Sequence, residues 1–188
     1  HGFALYLPAA ADLDFGVAHA GDVNGDGIAD LVVQSSSADG PEDRRTDAGE
    51  IWIVFGRPDL GGELHLATQA ADTTIYRPVC DGNAPGAELA GDDGLLIEDL
   101  DGDGMDDVVV GVSRGKGTGE ERWQAGEIHT VRGGASMPPV VDLGQGDADW
   151  VLHGSDSGDH VGVRATIAAG DLDGDGIPDL AIGAFGAD

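Results

Sequence analysis

The 188-residue sequence is poor in several things that other protein classes need. With Cys80 as its one cysteine, the chain cannot close an internal disulfide or build a Cys-rich zinc site; Cys80 reads instead as a small buried apolar residue. Nine Lys and Arg stand against 36 Asp and Glu, a formal net charge of -27, which excludes nucleic acid as a partner because backbone phosphates repel such a surface. No apolar run approaches the roughly 18 residues of a membrane span, and no charged-then-apolar leader opens the chain. The first residue is His1 rather than Met, which points to a processed, trimmed or partial chain. Aromatic residues are few, with 4 Phe, 2 Tyr and 3 Trp, while 33 glycines punctuate the chain with turns and leave little room for long helices.

What is present is a repeat. Asp22–Val33 (DVNGDGIADLVV), Asp99–Val110 (DLDGDGMDDVVV) and Asp171–Ile182 (DLDGDGIPDLAI) match one another, the starts 77 and 72 residues apart. Other landmarks keep the 77-residue step: Ala48-Gly49-Glu50-Ile51 returns as Ala125-Gly126-Glu127-Ile128, and Ala71-Asp72 as Ala148-Asp149. One unit has been duplicated. Its apolar stretches are short and β-rich, at Ile28–Val33, Ile51–Phe55 and Thr73–Tyr76, then at Met105–Val112, Ile128–Val131 and Trp150–His153, so about four strands per unit are expected. Phe3–Leu7 resembles the last strand of an earlier copy. The units run approximately over 1–8, 9–78, 79–154 and 155–188. Ser35–Asp47 and Ser113–Gln124 read as surface insertions, the second carrying the only lysine, Lys116.

The three Asp-rich segments carry the chemistry. Asp99, Asp101, Asp103 and Asp107 fall at positions 1, 3, 5 and 9, Gly104 permits a sharp turn, and Met105 offers its carbonyl from position 7. The first copy has Asp22, Asn24, Asp26 and Asp30 with the Ile28 carbonyl; the third has Asp171, Asp173, Asp175 and Asp179 with the Ile177 carbonyl. Such all-oxygen cages suit Ca2+, about one per loop, better than Zn2+ or Mg2+. A single D-x-D-x-D-G string is equally a turn former; three copies with a fourth acid at position 9 favour metal. Position 12 is Val33, Val110 and Ile182, inside apolar β-type runs, so the bidentate Glu and flanking helices of an EF-hand are absent.

The pattern resembles the FG-GAP repeats of integrin α-subunit propellers and their bacterial relatives. Phe15-Gly16 stands before the first loop as the family's FG does, with Val161-Gly162 and Leu89-Ala90 as weaker counterparts, and Gly183-Ala184-Phe185 resembles the GAP element. Gly111-Val112-Ser113 and Gln34-Ser35-Ser36 depart from it. The resemblance implies an all-β fold of four-stranded β-propeller blades with calcium at a hairpin on one face. Closed propellers need roughly four to eight blades, so this chain is expected to be a partial propeller or open array, part of a longer protein or completed by copies of itself through open edge strands.

Other sites weigh less. Gly111-Val112-Ser113-Arg114-Gly115 fits G-x-S-x-G, but the sequence that follows is a poor helix start. None of the six histidines forms a zincin pair. Trp52 and Trp150 read as packing residues, Trp123 as the better candidate for stacking on a sugar. The expected function is a secreted or cell-surface adhesion, scaffold or self-assembly module that engages a protein or glycan, with no catalytic constellation. A lectin-like propeller and part of a propeller enzyme such as a polysaccharide lyase are the alternatives.

Overall fold

A computed structural model describes residues 3–6, 15–46, 48–66, 71–79, 94–116, 122–163 and 166–187. Among them there is no α-helix; thirteen strands and two single 3-10 turns make an all-β, propeller-type architecture. Blade 1 is the antiparallel meander β2 (Phe15–Gly21), β3 (Asp30–Ser35), β4 (Glu50–Val54) and β6 (Thr73–Tyr76). Blade 2 repeats it with β7 (Leu95–Glu98), β8 (Asp107–Val112), β9 (Glu127–Val131) and β11 (Trp150–His153). A third begins with the hairpin β12 (Ile167–Gly170) and β13 (Asp179–Ile182). The register repeats too, since Glu50 opposes Tyr76 in blade 1 and Glu127 opposes His153 in blade 2.

Sequence reading placed three of each blade's four strands and missed the first, β2 and β7. It also missed β5 (Gly62–His65) and β10 (Val140–Asp142), which lie between the third and fourth strands of their units. Each crosses to the outer strand of the unit before: β10 pairs in parallel with β6, and β5 in the same way with β1 (Phe3–Tyr6). At three or four residues, flanked by Gly and Pro, these strands carry no periodic signal of their own.

The core lies between blades. Val23, Val32, Ile51, Ile53, Ile75, Val108, Val110 and Val112 are fully buried in one cluster, joined from the crossing segment by Val141 and Leu143. Burying a Val or Ile side chain stabilises by about 1.5–3 kcal/mol, so β10 is an integral part of the blade 1 packing. A second cluster holds Val33, Trp52, Val54 and Leu66, in line with the packing role expected of Trp52. Ala38 belongs to it as well, and Ser36 is buried, so the front half of the Ser35–Asp47 stretch is interior rather than a surface insertion. Blade 3 packs on blade 2 through Val109, Ile128 and Val161, with Ile167, Leu180 and Ile182 against them.

The repeated landmarks have physical reasons. Asp72 accepts the amide of Phe55 at 2.8 Å, and Asp149 that of Arg132 at 2.8 Å, so this acid caps the end of the third strand in each blade. Gly49 and Gly126 sit at φ 88 and 82, a left-handed conformation in which a side chain is strained. A Cβ on Gly126 would also lie 2.1 Å from the Val161 carbonyl, where blade 3 crosses. Cys80, Leu89-Ala90 and the middle of the Ser113–Gln124 stretch lie outside the described residues.

Candidate metal-binding loops

All three Asp-rich segments are hairpin loops between the first two strands of a blade. Their glycines at positions 4 and 6 take left-handed φ values: Gly25 and Gly27, Gly102 and Gly104, Gly174 and Gly176. The turn is closed by the position 1 carboxylate, which draws backbone amides inward. Asp99 accepts from Gly102 at 2.8 Å, Asp103 at 3.1 Å and Gly104 at 2.9 Å. Asp22 accepts from Asp26 and Gly27, and Asp171 from Gly174 and Gly176. Position 5 accepts the position 7 amide in every copy, through Asp26, Asp103 and Asp175 at 2.8–2.9 Å.

The geometry brings carboxylates together. In the second loop, Asp99, Asp101 and Asp103 have oxygens all within 4.8 Å of one another; in the third, Asp171, Asp173 and Asp179 do. The first loop has Asn24 where the others have an acid, and the Asn24 amide nitrogen lies 3.4 Å from Asp26. Three like charges within one turn repel, and their oxygens form a hard donor set without N or S, the chemistry that fits Ca2+.

Position 9 divides by copy. Asp30 is 1 % exposed and accepts the amides of Val23 and Asn24 through one oxygen and Gly56 through the other. Asp107, 3 % exposed, accepts from Leu100 and Gly133. In both, burial pushes the pKa above the ordinary value although the amide hydrogen bonds oppose it. These two acids tie the loop to the end of the third strand, whereas Asp179 joins the carboxylate triad and accepts the Leu172 amide.

Position 7 has a second use that the sequence did not reveal. The Met105 side chain lies against Gly25 of the loop before it, and that of Ile177 against Gly102, so a Cβ on either glycine would meet the next loop at 2.7 or 3.0 Å. Asp106 strengthens the first of these junctions by accepting the Asp22 amide at 2.7 Å while its own amide donates to the Asp22 carbonyl at 2.9 Å. The loops therefore stand in a contiguous row.

Residues 16–54 and 163–188 match the FG-GAP repeat. The two matched segments include the first and third loops; the second, which has the same spacing, lies outside them. The FG-GAP resemblance noted on the motifs thus rests on two stretches flanking a blade that repeats the same strand order. No curated protein matches the chain.

Away from the loops, Ser113 of the G-x-S-x-G string is buried at the end of β8 and followed by a turn, not a helix. Trp123 is 59 % exposed. Trp150, expected to pack in the core or between blades, is 37 % exposed and lines a cleft between blades 2 and 3. Among the described residues no helix is long and apolar enough to cross a membrane.

Proposed function

We propose that this chain is a calcium-stabilised, extracellular repeat module for adhesion, scaffolding or self-assembly, without catalytic activity. The observation that carries the reading is the convergence of three aspartates in one amide-braced turn, Asp99, Asp101 and Asp103, at a position that recurs in every unit. Calcium would be held there with the Met105 carbonyl; in the first loop by Asp22, Asn24, Asp26 and the Ile28 carbonyl, and in the third by Asp171, Asp173, Asp175, Asp179 and the Ile177 carbonyl. Asp30 and Asp107 act beside it by holding each loop to its blade. The ion would supply charge neutralisation that the crowded carboxylates otherwise lack. FG-GAP repeats occur in extracellular adhesion-type propeller proteins and often bind calcium, which supports both the setting and the metal. Extracellular calcium modules work at about 10⁻⁴ to 10⁻³ M.

The test is a metal count. After dialysis against calcium, elemental analysis should find three ions per chain and two in Asp103→Ala, the variant remaining folded; a wild-type count of zero, or one unchanged by the substitution, overturns the reading.

The exposure of Trp123 favours a second reading, a lectin-like surface. It precedes Gln124, whose carbonyl accepts the His160 amide at 3.1 Å, and Gln124 and His160 are non-glycine residues at φ 56 and 53. Backbone held in this region concentrates at functional sites. Glycan-array binding lost in Trp123→Ala would speak for it; an array with no hits would end it.

A further inference from the structure

On blade 1 the outer strand β6 is covered by the segment Gly133–Leu143 of the next unit. Gly134 donates its amide to the Val23 carbonyl at 2.8 Å, the Thr73 hydroxyl donates to the Pro138 carbonyl at 3.0 Å, and the Thr74 amide donates to the Pro139 carbonyl at 2.9 Å. Beyond these, Val140, Val141 and Asp142 run parallel to Thr74, Ile75 and Tyr76. The strand ends in a charge clamp: both oxygens of Asp142 accept from the Arg45 guanidinium at 2.6 Å, the pair being only 14 % and 15 % exposed. Arg45 is itself steadied by donating to the Arg77 carbonyl. Under this cover Thr73 and Ile75 are fully buried.

Blade 2 presents the same features uncovered. Residues 77 positions on from Thr73–Tyr76 are Trp150–His153, all exposed, and among the described residues no strand pairs with the outer edge of β11. Leu100 and Arg132, the counterparts of Val23 and Phe55, line a cleft of about 310 Å3 with Trp150, Pro178 and Leu180. Arg122 is the counterpart of Arg45, and it donates to the Gly154 carbonyl at 3.1 Å as Arg45 does to that of Arg77. The guanidinium that clamps a carboxylate on blade 1 is thus already braced in the same way on blade 2.

We propose that the outer face of blade 2 is an acceptor for one kind of partner, a parallel strand from a further repeat of this type. That strand enters through a Pro-containing turn over Trp150, pairs along Val151–His153, and ends in a carboxylate held by Arg122. Its hydrogen bonds come from outward-facing amides of the edge, of which Val151, the counterpart of Thr74, is the first. Charge selects for the terminal acid, since a carboxylate is the group that a fixed guanidinium fork binds best. The proposal rests on the repeated register and deepens the self-assembly part of the proposed function; its cleft adjoins the second and third loops through Asp101 and Asp179.

The probe is a labelled synthetic peptide with the sequence of Gly133–Gly146, titrated into the full chain by fluorescence anisotropy. Saturable one-to-one binding is expected. The same peptide with Asn in place of Asp142 should bind at least about tenfold more weakly, the equivalent of one charge-assisted hydrogen bond. Val151→Pro removes the outward amide at an edge position that tolerates proline, and should abolish binding while leaving the melting curve intact. Absence of saturable binding, binding unchanged by both alterations, or self-association of the protein through β11 in place of peptide binding would each overturn the proposal; the peptide variant keeps the test decisive if Val151→Pro misfolds.

Discussion

Blades 1 and 2 share strand order and register, yet equivalent positions on their third and fourth strands carry different chemistry. In blade 1, Glu50 lies with Trp52 and Tyr76, and burial together with Asp43 and Asp39 pushes its pKa up to about 7. In blade 2, Glu127 lies between His129, 2.9 Å away, and His153, 3.4 Å away. Burial would raise this carboxyl as well, but the hydrogen bond and charge of His129, seconded by His153, outweigh it and hold the pKa below the ordinary value. A duplicated scaffold fixes where a side chain stands, whereas its partners decide what it does.

The comparison can be broken at three levels. The largest expected effect is at the paired glycines. Gly126→Ala should cost about 4 kcal/mol, a left-handed backbone plus a collision with the Val161 backbone. Gly49→Ala, meeting the buried Arg77 guanidinium at 3.0 Å and the Ser35 carbonyl at 3.1 Å rather than a backbone at 2.1 Å, should cost less, about 2 kcal/mol. Urea denaturation measures both, and equal costs would refute the blade 2–blade 3 crossing as the cause.

The next effect concerns position 9. Asp30→Ala orphans three amides and Asp107→Ala two, so at about 1 kcal/mol or more each the first should be the more damaging. Both losses should persist in chelator, because these acids hold backbone. Asp103→Ala should cost most when calcium is present, since in chelator it loses only the exposed Met105 amide hydrogen bond and relieves repulsion within the turn.

The smallest effect is a pH signature of opposite sign. Glu50 is raised, so folding disfavours its charge: stability is highest below about pH 4.5 and falls as pH rises through about 7. Glu50→Gln should therefore raise the melting temperature at pH 8, by about 2–4 °C for each kcal/mol relieved, and leave it unchanged at pH 4. Glu127 is lowered, so its contribution is present above the ordinary carboxyl range and disappears as pH falls through its folded value. Glu127→Gln should lower the melting temperature at pH 7 and converge with the parent in acid. Matching pH profiles for the two variants would erase the distinction.

Much of the fold was legible because the repeat writes itself twice. The 77-residue step places β3 against β8 and β4 against β9, and the Asp-x-Asp-x-Asp-Gly spacing locates the loops. The first strands were less visible: Phe15–Gly21 ends in alternating small residues with little apolar contrast, and Leu95–Glu98 is only four residues long. Position 9 reads as one more ligand in a spacing argument, since sequence does not say that Asp30 and Asp107 have both oxygens on amides. Trp150 reads as a packing residue, in the core or between blades, because strand tryptophans usually pack, but how far it is buried depends on a neighbouring strand rather than on its own. Features set by local spacing were readable; those set by what crosses from the next unit were not.

The central claim is that calcium at the equivalent turns stabilises the folded chain. It is tested most directly by the melting temperature across a calcium series that starts in excess chelator. The midpoint should be lowest in chelator and climb with the logarithm of calcium once its concentration exceeds the dissociation constant. A midpoint identical in chelator and in millimolar calcium would contradict the account.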